Sequence, residues 1–148
     1  MTLRELAERL ATNIPGTAQG LRIAGDPERK VSTVAVCGGS GDSLFEQVRA
    51  TGADVYITAD LRHHPASEAR EHALGPGATG TPALIDAAHS ASEALWLPWG
   101  AEDLQRALAA QGFDIEVFVS DLRTDPWDFR VPSPDSDSAP NHTSGETS

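Results

Sequence analysis

Apolar positions recur along the chain with two different periods, and the switching between them marks out the expected elements. Leu3, Leu6 and Leu10 fall on one helical face with Glu5, Glu8 and Arg9 between them, so the chain is expected to open in a helix. Gly16 and Gly20 break that pattern. Residues 21–25 then read as a short strand closing in the turn Gly25-Asp26-Pro27, and the β-branched run 31–37 reads as a second strand. That run empties into a glycine-rich turn, 38–42, followed by a helix over 43–51. Ser43 and Glu46 have the spacing of a capping box at its start. A strand over 53–58 follows, then a loop through Asp60 to His64, and a helix opened by Pro65 that extends to about Leu74. Residues 75–80 are too rich in Gly and Pro for anything but a loop.

Residues 82–86 predict another strand, leading to His89 and a helix that ends before Pro98. A helix over 101–111 and a last strand over 114–120 complete the pattern. Strands alternating with helices indicate an α/β fold with a mixed, mostly parallel sheet flanked by helices. Residues 1–130 form the expected folded part. From about Val131 the composition collapses to Pro, Ser, Asp, Asn, Thr and Gly, so 131–148 is expected to be a disordered acidic tail.

Composition narrows the function classes. The 148 residues carry 11 Lys+Arg against 22 Asp+Glu, a formal net charge of −11, which argues against a surface built to bind nucleic acid. No run of about 18 apolar residues occurs, so no membrane-spanning helix is expected. The single Cys37 can form neither an internal disulfide nor a cysteine-based zinc site, and a reduced cytoplasmic compartment is the simplest expectation.

Three constellations carry candidate chemistry. In His89-Ser-Ala-Ser-Glu93, residues four apart share one helix face, so an imidazole and a carboxylate can converge on one ion. That donor pair suits zinc, iron, manganese or nickel rather than calcium; the alternative is an ordinary surface His–Glu pair. In Thr58-Ala-Asp60-Leu-Arg-His63-His64-Pro65, polar side chains gather at the carboxyl end of a strand, where α/β sheets bind ligands. There His63 and His64 either line a site or merely form the loop and cap the next helix. The turn 38–42 either cradles an anion on its backbone amides or is a tight turn that needs glycine. Cys37 reads as a small core residue before a nucleophile, and Trp96, Trp99 and Trp127 read as satellite packing or an interface.

Taken together, Val34-Ala-Val-Cys-Gly-Gly-Ser-Gly-Asp42, Gly52-Ala-Asp-Val-Tyr-Ile-Thr-Ala-Asp-Leu-Arg-His-His-Pro65 and Leu84-Ile-Asp-Ala-Ala-His-Ser-Ala-Ser-Glu93 closely resemble the C-terminal half of the dinuclear-metal-centre hexameric family. Its members are commonly named GTP cyclohydrolase 1 type 2 homologs and are relatives of a yeast NGG-interacting factor. The resemblance runs in order from about Thr2 to Trp127. It implies that His89 and Glu93 are ligands of a two-metal site. It also matches the family's Gly-Asp-x-x-His-His element to the stretch from Ala59 to His64, with Asp60, His63 and His64 lining the site or carrying protons rather than ligating. Ala88 stands where many relatives have Gly.

The family's N-terminal half, which supplies a first His-His pair and a ligating Asp, has no counterpart in this sequence. The resemblance therefore implies half of a larger two-part core, and a truncated product of a longer gene is expected in preference to a split or degenerate protein. In the complete fold the expected function is that of a metal-dependent, cyclohydrolase-like hydrolase acting on a nucleotide. It would use two divalent ions in a cytoplasmic homohexamer, with neither nucleic-acid nor membrane partners. The alternative is a non-catalytic metal-binding scaffold.

Overall fold

The computed structural model describes residues 1–132, so all but the first two residues of the expected tail lie outside the described residues. Helix α1 (Leu3–Ala11) begins where Thr2 and Glu5 form a reciprocal capping box: the Glu5 amide donates to Thr2 Oγ1 at 3.1 Å and the Thr2 amide to Glu5 Oε2 at 2.7 Å. Strands β1 (Arg22–Ala24) and β2 (Val34–Ser40) follow, then a single 3-10 turn over Asp42–Leu44 and helix α2 (Phe45–Thr51). Strand β3 (Val55–Ala59), helix α3 (His63–Leu74), strand β4 (Ala83–Ala87) and helices α4 (His89–Ala94) and α5 (Leu97–Ala109) complete the order.

Among the described residues the sheet has four strands in the order β1-β4-β3-β2. β2, β3 and β4 run parallel, and β1 lies antiparallel along β4. The fold is thus the expected α/β arrangement of a mostly parallel sheet flanked by helices. The central strands are apolar on both faces because both faces are covered. Tyr56 and Leu84 pack on one face with Phe45 and Val48 of α2 and Ala69 of α3. Val55, Ala83 and Ile85 pack on the other with Leu3 and Ala7 of α1, against which Leu6 and Leu10 also rest. Arg22 grips the buried carboxylate of Asp86, which fastens β1 to β4 at matched register.

Several boundaries depart from the sequence reading. The stretch 38–40 is the irregular end of β2 rather than a turn, with the register slipping between Val36 and Ser40. Ser43 makes no cap; α2 starts two residues later, where Phe45 buries its ring edge-on to Tyr56 at 5.7 Å. α3 begins at His63, ahead of Pro65. α4 ends at Ala94, before Pro98 as expected, but the next helix starts at Leu97 rather than at 101, with Pro98 in its first turn, where no intrahelical N–H partner is needed. Residues 114–120 form no strand: their alternation is β-like, yet no sheet edge receives them among the described residues, and Phe118 is exposed. This removes one of the expected strands, and β1 and β2 absorb the first two.

Candidate functional site

Parallel β2, β3 and β4 bring three chain segments to one end of the sheet. Gly39 leaves β2 there, Asp60 follows β3, and His89 is the first residue of α4, with Glu93 one turn further on. α4 packs on β2 and β3 and buries Ala91, which turns the His89–Glu93 face toward the glycines. Asp60 Oδ2 accepts a hydrogen bond from His89 Nδ1 at 2.6 Å, and Glu93 Oε2 lies 3.3 Å from Nε2. All three side chains are about half exposed. The His89 imidazole is held above its ordinary pKa, chiefly by the hydrogen bond to Asp60, with the Glu93 carboxylate adding to the shift and desolvation opposing it.

Close packing explains the glycines better than an anion cradle does. The Gly39 amide donates to Ser92 Oγ at 2.9 Å, and the Gly39 carbonyl accepts from the Thr58 hydroxyl at 3.0 Å. The Gly41 amide donates to the Ala59 carbonyl, and the Gly41 carbonyl accepts from the Tyr56 hydroxyl. Asp42 is paired with Arg62. A β-carbon at Gly41 would stand 2.1 Å from Thr58 Oγ1. At Gly39, where φ is +70°, it would stand 2.7 Å from Glu93 Oε1 and 3.2 Å from His89 Nε2. The missing side chain at Gly39 therefore leaves room beside both donor atoms.

That room fits part of a metal site. His89 Nε2 and the Glu93 carboxylate face it, a nitrogen and oxygen donor set of the kind zinc, iron, manganese and nickel accept. Asp60 is not a third ligand, since its carboxylate occupies the opposite ring nitrogen. Among the described residues, no group of three or more His, Cys, Asp or Glu side chains converges to hold an ion.

His63 belongs to a different cavity from His89 and Glu93. His63 and His64 open α3, both exposed, with their rings edge to face at 5.4 Å, and His63 lines its cavity beside Arg22, Leu61 and Asp86. The cavity of about 320 Å³ at His89 and Glu93 is lined also by Asp60 and by Asp125, which the sequence reading passed over. Asp125 is 6% exposed; its Oδ1 accepts the Trp127 amide at 3.0 Å and its Oδ2 is buried without a partner. Asp-Pro is a turn signal, and only the fold shows that this turn returns to α4. Ser92 was likewise unremarkable in the sequence. It accepts from Gly39 and donates to the His89 carbonyl at 2.8 Å, tying the first turn of α4 to β2. Cys37 is half-buried against the core.

The family model described as Duf34/NIF3 (NGG1p interacting factor 3) matches residues 1–126. A GTP cyclohydrolase 1 type 2 homolog of Streptomyces coelicolor is 53% identical over 139 residues, which are 94% of this chain and 46% of that protein. The homolog of the same name in Mycobacterium tuberculosis is 47% identical over 125 residues, covering 84% of this chain and 30% of its own. Among solved structures, a Bacillus cereus protein related to NIF3 superposes with a TM-score of 0.71 at 29% identity, over 88% of this chain and 33% of that one. A Staphylococcus aureus protein superposes with a TM-score of 0.71 at 30% identity, over 88% and 34%. The chain thus spans less than half the length of these relatives.

Proposed function

This chain belongs to the Duf34/NIF3 family, and on that premise we propose that His89 and Glu93 form part of a divalent-metal site in a hydrolase-like protein. The observation that supports this reading is the pair itself: Nε2 and a carboxylate oxygen one helical turn apart, facing the room beside Gly39, with Nδ1 already taken by Asp60. Among the described residues no third side chain converges with these two on one ion. A bound zinc, iron, manganese or nickel ion supplies Lewis acidity toward a hydrolysable bond. The residues themselves hold an imidazole by its far nitrogen, present the near one, and set a carboxylate next to it.

The relatives' shared name, GTP cyclohydrolase 1 type 2 homolog, makes a nucleotide such as GTP the substrate of this proposal, and a cytoplasmic homohexamer belongs to the same proposal. His63 lines a cavity separate from the one at His89 and Glu93, so no step is assigned to His63 or His64. A non-catalytic metal-binding scaffold is the second reading, favoured by the exposed apolar side chains Trp96, Trp99 and Leu104 on and beside α5.

Equilibrium dialysis of the full chain against Co2+, followed by elemental analysis, tests the site. Weak uptake that disappears in His89→Ala and Glu93→Gln is expected. Equal uptake by wild type and both variants overturns the assignment, and retention of about two ions per wild-type chain overturns the view that the site is partial. With saturating metal, GTP turnover that His89→Ala abolishes supports the enzyme; occupancy without turnover leaves the scaffold.

A further inference from the structure

Asp60 is the only non-glycine residue with positive φ among the described residues, at +54°. Asp tolerates this left-handed region better than most residues, but Gly alone enters it freely. Its neighbours leave little choice. Ala59, fully buried, is paired on both sides, with Ser40 of β2 and Ala87 of β4, and its carbonyl accepts the Gly41 amide at 3.3 Å. On the other side, the amide of buried Leu61 donates to Asp86 Oδ1 at 2.9 Å, and Arg22 donates to the Leu61 carbonyl at 3.4 Å. Asp86 is itself 4% exposed and paired with Arg22. The chain must therefore turn within one residue between two anchored ones, and that turn carries the Asp60 carboxylate across to α4.

The destination of that carboxylate has a chemical consequence. A neutral imidazole carries one proton, so a ring that donates from Nδ1 presents Nε2 as a lone pair. We infer that Asp60 is a positioning residue: from its left-handed turn it fixes the ring and tautomer of His89, so that Nε2 is the unprotonated atom facing Glu93 and Gly39. The 2.6 Å contact to Nδ1 and the 3.3 Å approach of Glu93 to Nε2 place the two carboxylates on opposite ring nitrogens, one orienting and one sharing the open side. Carboxylate–histidine pairs of this kind raise the basicity of the presented nitrogen and hold the ring against rotation. Only the consequence for metal affinity rests on the proposed function; the tautomer does not.

Nitrogen-15 NMR of the His89 ring in the metal-free chain, at a pH where the ring is neutral, reads the tautomer directly. Wild type is expected to carry its proton on Nδ1. Asp60→Gly keeps the turn, because glycine accepts φ of +54°, and is expected to melt no lower than wild type while the His89 proton moves to Nε2, where Glu93 remains as the acceptor. Asp60→Asn also tolerates the turn, and its amide can donate to Nδ1, driving the proton to Nε2. In both variants Co2+ affinity is expected to fall about 10- to 100-fold. A proton that stays on Nδ1 in both variants overturns the inference. If the tautomer shifts as expected but wild type takes up no Co2+, the metal reading fails and the positioning role stands; if uptake is strong and neither tautomer nor affinity responds to Asp60, the reverse holds.

Discussion

Two carboxylates bracket β3, and they do opposite work. Asp54, just before the strand, accepts the amides of Ser32 and Thr33 at 2.9 Å each and the Thr33 hydroxyl at 3.1 Å, all on one oxygen. Asp60, just after it, reaches an imidazole on another element. Backbone donors cannot move without moving the fold, so Asp54 is a stitch between the approach to β2 and β3. Its carboxyl is held below the ordinary carboxylate range chiefly by those two amide bonds. A side-chain partner with a second nitrogen to spare makes Asp60 part of a site instead. The same contrast holds for the two ends of the parallel sheet: where these strands enter, hydrogen bonds close on backbone; where β3 and β4 leave, side chains keep unused capacity.

The contrast breaks most visibly at Gly41, which lies at the leaving end yet is structural. Gly41→Ala would drive a β-carbon to 2.1 Å from Thr58 Oγ1 and 2.2 Å from the Tyr56 hydroxyl, both on fully or almost fully buried side chains. A loss of about 3 kcal/mol in a urea titration is expected, at the upper end of overpacking costs. A loss under about 0.5 kcal/mol, the range of neutral surface changes, would show that the close contact relaxes freely.

Asp54→Ala is the next largest. Removing hydrogen bonds to two amides should cost about 1–2 kcal/mol, with Co2+ uptake unchanged. A drop in uptake would show that the two ends of β3 are coupled. The pH dependence has a definite sign. A carboxyl whose folded pKa is depressed contributes stability that is fully present above its unfolded pKa of about 3.9 and is lost as pH falls toward the folded value. Wild type should therefore lose its advantage over Asp54→Ala below about pH 4, read as converging urea midpoints. Midpoints that stay apart into stronger acid would assign the difference to packing.

Glu93→Gln should have the smallest effect on folding, within about 0.5 kcal/mol, because the side chain is half exposed and held by no backbone group. A larger loss would make Glu93 a structural residue like Asp54.

The parts of this molecule legible in the sequence are those where local pattern and burial agree. The runs that became β3 and β4 are apolar at nearly every position because both faces are covered, and the spacing of His89 and Glu93 is a property of any helix. A capping box formed at Thr2 and Glu5, which the leucine pattern did not single out, whereas Ser43 and Glu46 have the same spacing without forming one. Local spacing cannot tell the two apart, since a cap also needs the chain before it to be free to bend. Gly41, packed under Tyr56 and Thr58, is not free.

By itself, then, the amino-acid sequence determined the α/β alternation, the family, and a donor pair one helical turn apart, because each rests on periodicity or on the order of short motifs. Pairing and convergence were decided only by the tertiary structure. Residues 114–120 have a strand's alternation yet pair with neither edge of the sheet among the described residues, Asp125 comes back to the same cavity from beyond α5 in the chain, and Asp60 meets His89 across 29 positions of chain. Such contacts depend on which segments the sheet brings to its shared end, and no spacing along the chain encodes that.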